Sequence, residues 1–584
     1  MSPRLESFQQ VVDPIAGSLA VSAMIAALPL LLLFVLLGVF RVKAPKAAIA
    51  SLLLSIVLAI VGWRMPVGQV LSASAQGAFY ALFPILWILI NALWVYKLTV
   101  DTPWFEVLGR TIRSISNDLR ILSILIAFCF GALLESLAGF GAPVAISAAM
   151  LMAAGMKPLK SAIVALLANT APVAFGAMAA PIIALNGVTG IPLHDLSSMA
   201  GRQTPFVAVL VPLILVFIVD GKRGLRQTWP VALVSGVVFG LAQFVASNFM
   251  VVELTDVVAA IATVAAVLVM LKFWQPAQII GMNDVADSDA ADADLVSVGA
   301  QPRAGYGTSS GLGGVSRNGA PVQAGTPGKE NGAAVRPPNG EVWMAVAPYL
   351  IIMAVFSIAQ IPAVKTWLTA VGSVTFEWPG LDTVDPNGKP VAAHKFKLDH
   401  LKATGTMLLI SGMITMALYK LAPLRGIRIY RETLFQLRWT IVTVTSVLAL
   451  AFVMNVSGQT NSLGLALASA GGFFAILSPL LGWIGVALTG SDTSSNSLFG
   501  QLQVTAAEQT GLSPTLMAAS NSSAGVLGKM LSLQNLAVAS AAVGLDGAES
   551  VLFRKLIGWS LALLAFLTIL IYLQSTPVLG WMVP

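Results

Sequence analysis

The sequence has little of what soluble enzymes and disulfide-bonded domains use: it contains one cysteine, three histidines and 10% charged residues in 584 positions. The single cysteine, Cys129, excludes an intramolecular disulfide. No His-Glu-x-x-His sequence and no cluster of Cys and His residues is present to bind zinc. The chain therefore indicates no metal site, no cofactor and no recognisable set of catalytic residues, and it is not expected to be an enzyme.

Hydrophobic residues are abundant, at 57% of the chain, and they recur in runs of about 18–22 residues that suit helices crossing a bilayer. The alternating pattern of outer-membrane strands is absent. The sequence thus predicts an all-α polytopic membrane protein with about 12–14 transmembrane helices. The net charge of +7 is better explained by Lys and Arg in cytoplasmic loops than by a nucleic-acid partner. No small-residue cleavage site follows the first apolar run, which is predicted to be a retained span.

Composition divides the chain into three parts. Residues 1–274 are predicted to be an N-terminal transmembrane half, and residues 341–584 a C-terminal half with a polar external insertion at 362–402. Between them, residues 275–340 are rich in Asp, Gly and Pro and are predicted to form a disordered cytoplasmic loop. Basic residues at 41–46 mark a cytoplasmic loop, which leaves the N-terminus outside.

An internal repeat of broken helices is predicted, with copies at about 121–187 and 462–543. Asn169-Thr170 precedes Gly176-Ala177-Met178 by the same seven-residue step that separates Asn521-Ser522 from Gly528-Lys529-Met530. Charge in the flanking loops indicates that the first copy enters the membrane from the cytoplasm and the second from outside. The two copies are therefore predicted to be inverted, the arrangement of many secondary transporters.

One polar stretch, residues 490–497, interrupts the apolar C-terminal half. A helix that begins inside the membrane presents unpaired amide groups and a positive dipole end, which suit a carboxylate. Helix capping alone is the alternative, but eight consecutive polar or glycine residues exceed what a cap needs. The predicted substrate-binding residues are Ser491, Thr493, Ser494, Ser495 and Asn496 with Asn521, Ser522, Asn169 and Thr170 from the repeat motifs.

Charged residues inside membrane segments cost about 2.5–3.5 kcal/mol on insertion scales, so they usually mark a transport pathway. Lys529 replaces the Ala177 of the first copy and is predicted to bind a substrate carboxylate directly. A salt bridge between Lys529 and Asp492 is the alternative. Glu135 and Asp492 are rival candidates for carrying a proton, and a purely structural pairing remains open for each. Arg202, near a membrane boundary, is a secondary candidate.

Several of these motifs, in order, resemble the L-lactate permease family of bacterial secondary transporters. They are Gly141-Ala142-Pro143-Val144-Ala145-Ile146, the segment Asn169 to Met178, Ala200-Gly201-Arg202-Gln203, Gly490 to Asn496, and Gly528-Lys529-Met530. The chain departs from the pattern at Glu135-Ser136 and by lacking a proline after Lys529. The resemblance implies uptake of L-lactate, often also of D-lactate and glycolate, by proton symport across the inner membrane. It also implies a fold of twelve to fourteen helices.

The sequence therefore predicts a multi-pass protein of the bacterial inner membrane that imports small 2-hydroxy monocarboxylates together with protons. Its predicted partners are the substrate, protons and lipid. A sodium-coupled carboxylate carrier and, from another class, a channel are the alternatives. Residue patterns leave open the preference between lactate and glycolate, the stereoselectivity, which carboxylate titrates, and the oligomeric state.

Overall fold

The computed structural model describes residues 7–139, 141–280, 337–386, 388, 390–391, 395–545 and 547–584, and in these the chain is predominantly helical. Three π-helical segments, Val35–Val39, Ala81–Leu86 and Ile124–Phe130, adjoin the α-helices and extend them. The predicted all-α class is thereby confirmed. The α-helices are α1 Leu19–Phe34, α2 Ala44–Val61, α3 Val67–Tyr80, α4 Trp87–Val100, α5 Trp104–Arg113, α6 Leu119–Ser123, α7 Gly131–Leu137, α8 Ala142–Ala153, α9 Pro158–Ala168, α10 Gly176–Thr189, α11 Leu193–Ala200, α12 Thr204–Phe249, α13 Thr255–Phe273, α14 Asn339–Ala359, α15 Pro362–Gly372, α16 Thr404–Leu418, α17 Pro423–Ser457, α18 Gln459–Ala468, α19 Phe474–Thr489, α20 Asp492–Thr510, α21 Pro514–Lys529, α22 Leu533–Ala542 and α23 Glu549–Gln574.

Four short strands lie outside the helical bundle: β1 Phe8–Gln9, β2 Ser373–Glu377, β3 Thr383–Val384 and β4 Lys395–Asp399. Strand β2 pairs antiparallel with β4 inside the insertion, and β1 pairs parallel with β3. The N-terminal segment and the insertion at 362–402, both predicted to be external, therefore lie at one end of the molecule. Of the predicted 275–340 loop, residues 281–336 lie outside the described residues.

Within the described part of the chain, ten helices are long and apolar enough to cross a membrane. The number is eleven if α9 and the segment Val173–Thr189, which meet at an angle of 64°, form one broken span. This count takes Leu193–Phe249 as one span of 57 residues, although non-helical backbone at Asp220 and Gly221 divides α12 into two helices. It also leaves out α8 and α16, which are short, and α20, which is rich in polar residues. These shorter and more polar helices include the ones that build the candidate site.

Two parts of the chain share one order of elements: a helix, a break, a helical hairpin, a second break and a closing helix. Unit one consists of α7, the hairpin α8–α9 and the closing helix α10. Unit two consists of α19, the hairpin α20–α21 and the closing helix α22. We call these pairs hairpin one and hairpin two. The shared order agrees with the predicted internal repeat.

The turns of the two hairpins are built alike. Gly155 has φ +99° and Gly511 has φ +70°, a left-handed conformation that glycine adopts without strain. In each case a proline three residues later, Pro158 or Pro514, begins the returning helix, where its missing N–H costs nothing. The Gly-x-x-Pro match in the sequence thus corresponds to one structural turn used twice.

The two turns lie at opposite ends of the bundle. Near the turn of hairpin one, Lys160 Nζ donates to Val219 O at 3.1 Å, at the end of the bundle where Lys222, Arg223 and Arg226 follow in α12. Near the turn of hairpin two, Thr505 Oγ1 donates to Asn461 Oδ1 at 3.1 Å, and Asn461 Nδ2 donates to Gln10 of the N-terminal segment at 2.7 Å. The hairpins therefore enter from opposite ends, as inverted repeats require.

The units also interlock. The closing helix of unit one, α10, packs along α20 of hairpin two, and the closing helix of unit two, α22, packs against both helices of hairpin one. Each hairpin is thus held between its own unit and one helix of the other. This arrangement brings the breaks of both units to the centre of the molecule.

Small residues allow α19 and α21 to approach closely inside unit two. A Cβ on Gly482 would lie 2.1 Å from Asn521 O, and one on Gly528 would lie 2.2 Å from Trp483 O. Neither backbone oxygen can move without shifting its helix. Glycine at these positions therefore fixes the place of α21, which carries Asn521 and Lys529.

Gly482→Ala is expected to destabilise the protein by about 1–3 kcal/mol, because the added methyl group forces two packed helices apart. The matched control is Gly558→Ala, also inside a helix but with open space where the methyl group would go. Thermal unfolding of the detergent-purified variants measures the difference. Equal unfolding temperatures for the two variants would show that the close approach does not matter.

Candidate functional site

A buried ion pair joins the two units at their breaks. Lys529 Nζ, at the end of α21, lies 2.5 Å from Glu135 Oε1 on α7, although 394 positions separate the residues in sequence. Glu135 is 2% exposed and Lys529 is 6% exposed. The alternative considered from the sequence, a salt bridge between Lys529 and Asp492, is wrong. The lysine does form a salt bridge, but its partner is Glu135 of the other unit.

The first break supplies a second partner for Glu135. Asn169 Nδ2 donates to Glu135 Oε2 at 2.9 Å, so both carboxylate oxygens are bound. Asn169 is placed there because Pro172, which follows closely, has no N–H to continue the helix and ends α9. The carboxylate therefore lies between an amide of its own unit and an ammonium of the other.

The start of α10 is shaped around the same carboxylate. Gly176 lies so close that a Cβ there would be 2.9 Å from Glu135 Oε1. The next three residues, Ala177, Met178 and Ala179, all have φ between +45° and +60°. Such backbone costs about 1–3 kcal/mol per residue and is concentrated at functional sites. The strained turn lies where the sequence aligns Gly176-Ala177-Met178 with the segment that carries Lys529.

Asp492 begins α20 and forms a second acidic position. Its Oδ2 accepts a hydrogen bond from Ser522 Oγ at 2.6 Å and a long one from Asn496 Nδ2 at 3.5 Å. Its Oδ1 is buried and accepts no hydrogen bond from any residue that the structure describes. Asp492 is 3% exposed. It binds to hairpin two alone, whereas Glu135 connects the two units.

A row of amides links hairpin two to the rest of the site. Asn521 Nδ2 donates to Asn496 Oδ1 at 2.9 Å, and Asn496 Nδ2 donates to Pro181 O of α10 at 3.1 Å. On the other side, Gln503 Nε2 donates to Asn521 Oδ1 at 3.2 Å and to Ser478 O of α19 at 3.0 Å. These bonds hold α20 and α21 in register, so a movement of hairpin two carries the whole row with it.

Two of the repeat motifs differ in local structure. Asn169 lies at a break, but Asn521 and Ser522 lie inside the unbroken helix α21, since no proline follows them. The break in unit two comes after Lys529, and Ser532 caps the next helix by accepting from Asn535 N at 3.3 Å. The two units therefore share the Asn motif in sequence, but its backbone conformation differs between them.

The remaining predicted residues have varied places. Ser491 caps α20 by accepting from Ser494 N at 3.2 Å, and Thr170 Oγ1 donates to Leu167 O at 2.7 Å. Thr493, Ser494 and Ser495 are buried at the start of α20. Arg202 lies elsewhere: it binds Asn248 Oδ1 at 2.9 Å and Met582 O at 2.8 Å, at the end of the bundle that holds the C-terminus.

Sequence analysis missed several polar residues near these breaks. Gln503 could have been found, because eleven residues correspond to about three helical turns and bring it to the face of Asp492. Asn535, whose Nδ2 donates to Lys529 O at 3.1 Å, follows a capping serine. Gln243 and Asp256 lie in helices that are mostly apolar, and their sequence surroundings do not indicate that the two side chains meet. Within the described residues, no group of three or more His, Cys, Asp or Glu could hold a metal ion.

The geometry suits reversible binding of a small anion. The ammonium of Lys529 is buried and its direct partner is Glu135, so an incoming carboxylate must compete with that residue for the lysine. Removing either charge leaves the other unpaired in a site from which water is largely excluded, which is costly. Any anion that bound to Lys529 would therefore be sensitive to the charge on Glu135.

Comparison with known proteins adds independent information. The family model described as L-lactate permease matches residues 22–578. The L-lactate permease of Bacillus subtilis (strain 168) is 40% identical over 594 residues, covering 98% of this chain and 99% of that protein. The glycolate permease GlcA of Escherichia coli (strain K12) is 39% identical over 578 residues, with 97% and 98% covered. The solved YdaH transporter of Alcanivorax borkumensis is 12% identical, covers 86% of each chain and has a TM-score of 0.40.

Proposed function

The chain belongs to the L-lactate permease family, a family of multi-pass proteins of the bacterial inner membrane, and we propose that it imports L-lactate by proton symport. The proposed substrates are small 2-hydroxy monocarboxylates: L-lactate, D-lactate and glycolate. Relatives named as L-lactate and glycolate permeases support this substrate class. The coupling to protons is argued from the site itself.

The proposal is based mainly on the buried salt bridge between Lys529 and Glu135, which joins the two units. Lactate is a monoanion at neutral pH and needs a cation or several N–H groups to replace its lost hydration. Lys529 offers such a cation at the end of one hairpin. The carboxylate of the substrate is proposed to bind there, while hydroxyl and amide groups at the start of α20 and the middle of α21 bind its 2-hydroxyl.

Coupling follows from competition for Lys529. While Glu135 is ionised, it occupies the lysine, and a second carboxylate meets both steric and electrostatic resistance. A proton on Glu135 removes its charge and weakens the pair, so Lys529 becomes free to bind the substrate. Binding of a proton and of lactate therefore favour each other, and by linkage the effect is equal in both directions. One proton and one monoanion move together, which makes the cycle electroneutral.

Alternating access is proposed to come from movement of the hairpins. They enter from opposite ends and both contact the pair, so displacement of one hairpin would open a path to one side of the membrane while the other stays closed. The substrate and the proton would leave together once the pair is exposed to the cytoplasm, where Glu135 loses its proton and binds Lys529 again.

The test is uptake of radiolabelled L-lactate by the purified full chain in proteoliposomes with an alkaline interior. We expect saturable accumulation that collapses when a protonophore removes the pH gradient and that does not change when potassium replaces sodium. Glycolate and D-lactate should compete with L-lactate. Propionate, which lacks the 2-hydroxyl, should compete at least about tenfold more weakly, the cost of about one lost buried hydrogen bond.

Two outcomes would contradict the proposal. Uptake that requires sodium and ignores the pH gradient would show a sodium-coupled carrier, and uptake that neither saturates nor accumulates against a gradient would show a channel. An imposed membrane potential without a pH gradient serves as a control, since an electroneutral carrier should not respond to it.

A further inference from the structure

Asp256, in the first turn of α13, is a buried acid that the mechanism above does not use. It is 0% exposed. Gln243 Nε2, from α12, donates to its Oδ1 at 3.1 Å, while its Oδ2 has no hydrogen-bond partner among the described residues. An unpartnered carboxylate oxygen at such depth is costly and calls for an explanation beyond packing.

The surroundings of Asp256 connect it to the ion pair. Gln243 Nε2 also donates to Ala171 O at 3.3 Å, within the break that begins with Asn169. Asn169 in turn binds Glu135. Helix α13 packs directly against α7, which carries Glu135. Among the polar groups on the helices packed against α13, Gln243 of α12 contacts Asp256 directly, and Glu135 lies on α7.

A third acid lies between Asp256 and the end of the molecule that carries the insertion. Glu253, about one turn before Asp256, is partly exposed and accepts from Thr404 Oγ1 at 2.8 Å. That end is predicted to be external. The three carboxylates therefore run in order from a partly exposed position to the buried pair.

We propose that Asp256 is a proton-binding site that passes protons from the external face, by way of Glu253, to Glu135. This inference rests on the proposed function, because it concerns how the coupled proton arrives. The proton of a protonated Glu253 moves to Asp256 Oδ2, leaving Glu253 ionised, and then from Asp256 to the Glu135 carboxylate, leaving Asp256 ionised.

The decisive variant is Asp256→Asn, which keeps the size of the side chain and an oxygen for Gln243 but cannot carry a proton. We expect the initial rate of L-lactate uptake driven by a pH gradient to fall by about tenfold or more, because the variant cannot pass a proton on. Exchange of internal for external lactate at equal pH needs no net proton transfer. It should stay within about twofold of the unaltered chain.

Two further variants make the test specific. Glu253→Gln, at a less buried position, should slow gradient-driven uptake in the same selective way. Asp195→Asn is the matched control: this acid is exposed, on a helix whose His194 contacts Asn248 O, and it should change neither assay. Asp256→Glu retains a carboxyl group and should restore gradient-driven uptake at least in part.

The outcomes separate this inference from the proposed function. Full gradient-driven uptake in Asp256→Asn, or equal loss of uptake and exchange in that variant, would overturn the proton role of Asp256 while leaving proton symport intact. If the unaltered chain shows no response to a pH gradient, the proposed function fails and the inference fails with it. Selective loss of gradient-driven uptake, with exchange retained, supports the inference.

Discussion

Replacing Lys529 by alanine is expected to reduce L-lactate binding and uptake to background. The variant removes the buried ammonium to which the substrate carboxylate is proposed to bind, and a charge-assisted hydrogen bond in a dry site is among the strongest single interactions available. Binding of labelled lactate to purified protein and uptake by proteoliposomes measure the effect. Exchange should be lost as well, because exchange needs the same anion site.

A loss of function in Lys529→Ala must be separated from a loss of folding. Removing one partner of a buried ion pair typically costs about 3–5 kcal/mol, because Glu135 is left without its cation. The double variant Lys529→Met with Glu135→Gln replaces both charges and should regain thermal stability, yet it should still bind no lactate. Lactate binding in the double variant would exclude Lys529 as the anion site.

Replacing Glu135 by glutamine is expected to produce a different defect. The amide imitates the protonated acid, so Lys529 is free at every pH and lactate can bind. Exchange at equal pH should therefore continue, while accumulation against a gradient is lost, since no proton binds and leaves in the cycle. The hydrogen bond from Asn169 can be retained, because the glutamine oxygen accepts it.

The pH dependence gives the sharpest distinction for Glu135→Gln. In the proposed mechanism, protonation of Glu135 favours lactate binding, so the KM of the unaltered chain for external lactate should fall as the external pH falls. In the variant this dependence should disappear. Initial rates at a series of pH values, corrected for the small fraction of undissociated lactic acid, test both statements. A normal pH dependence in Glu135→Gln would assign the coupling proton to another acid, such as Asp492.

The features of the fold and of the candidate site that could be predicted from the sequence are those set by residues close together in the chain. The breaks were predictable because glycine and proline act locally: Pro172 ends α9, and Gly155 and Gly511 turn the two hairpins. The burial of Lys529 was likewise predictable, since the residues around it in the sequence are mostly apolar and are themselves expected to be buried. Both inferences need only neighbouring residues.

The partner of Lys529 could not be predicted, since Asp492 is 37 positions away while Glu135 is 394 away. Nothing in the sequence ranks a distant acid above a near one, and only the interlocking of the units decides it. Asp256 escaped notice for a related reason. Its significance depends on α7 and α12 packing against α13, which is a property of the assembled bundle.

The exchange of closing helices between the units has a consequence for leakage. Helix α10 follows hairpin one in the chain and packs along hairpin two, while α22 follows hairpin two and packs against hairpin one. Tilting either hairpin is therefore expected to shift the helix that supports the other hairpin. Opening to both sides at once would require α10 and α22 to separate from the hairpins they support at the same time. If the protein is the proton symporter proposed here, this mechanical link between the two openings would keep protons from leaking across the membrane without substrate.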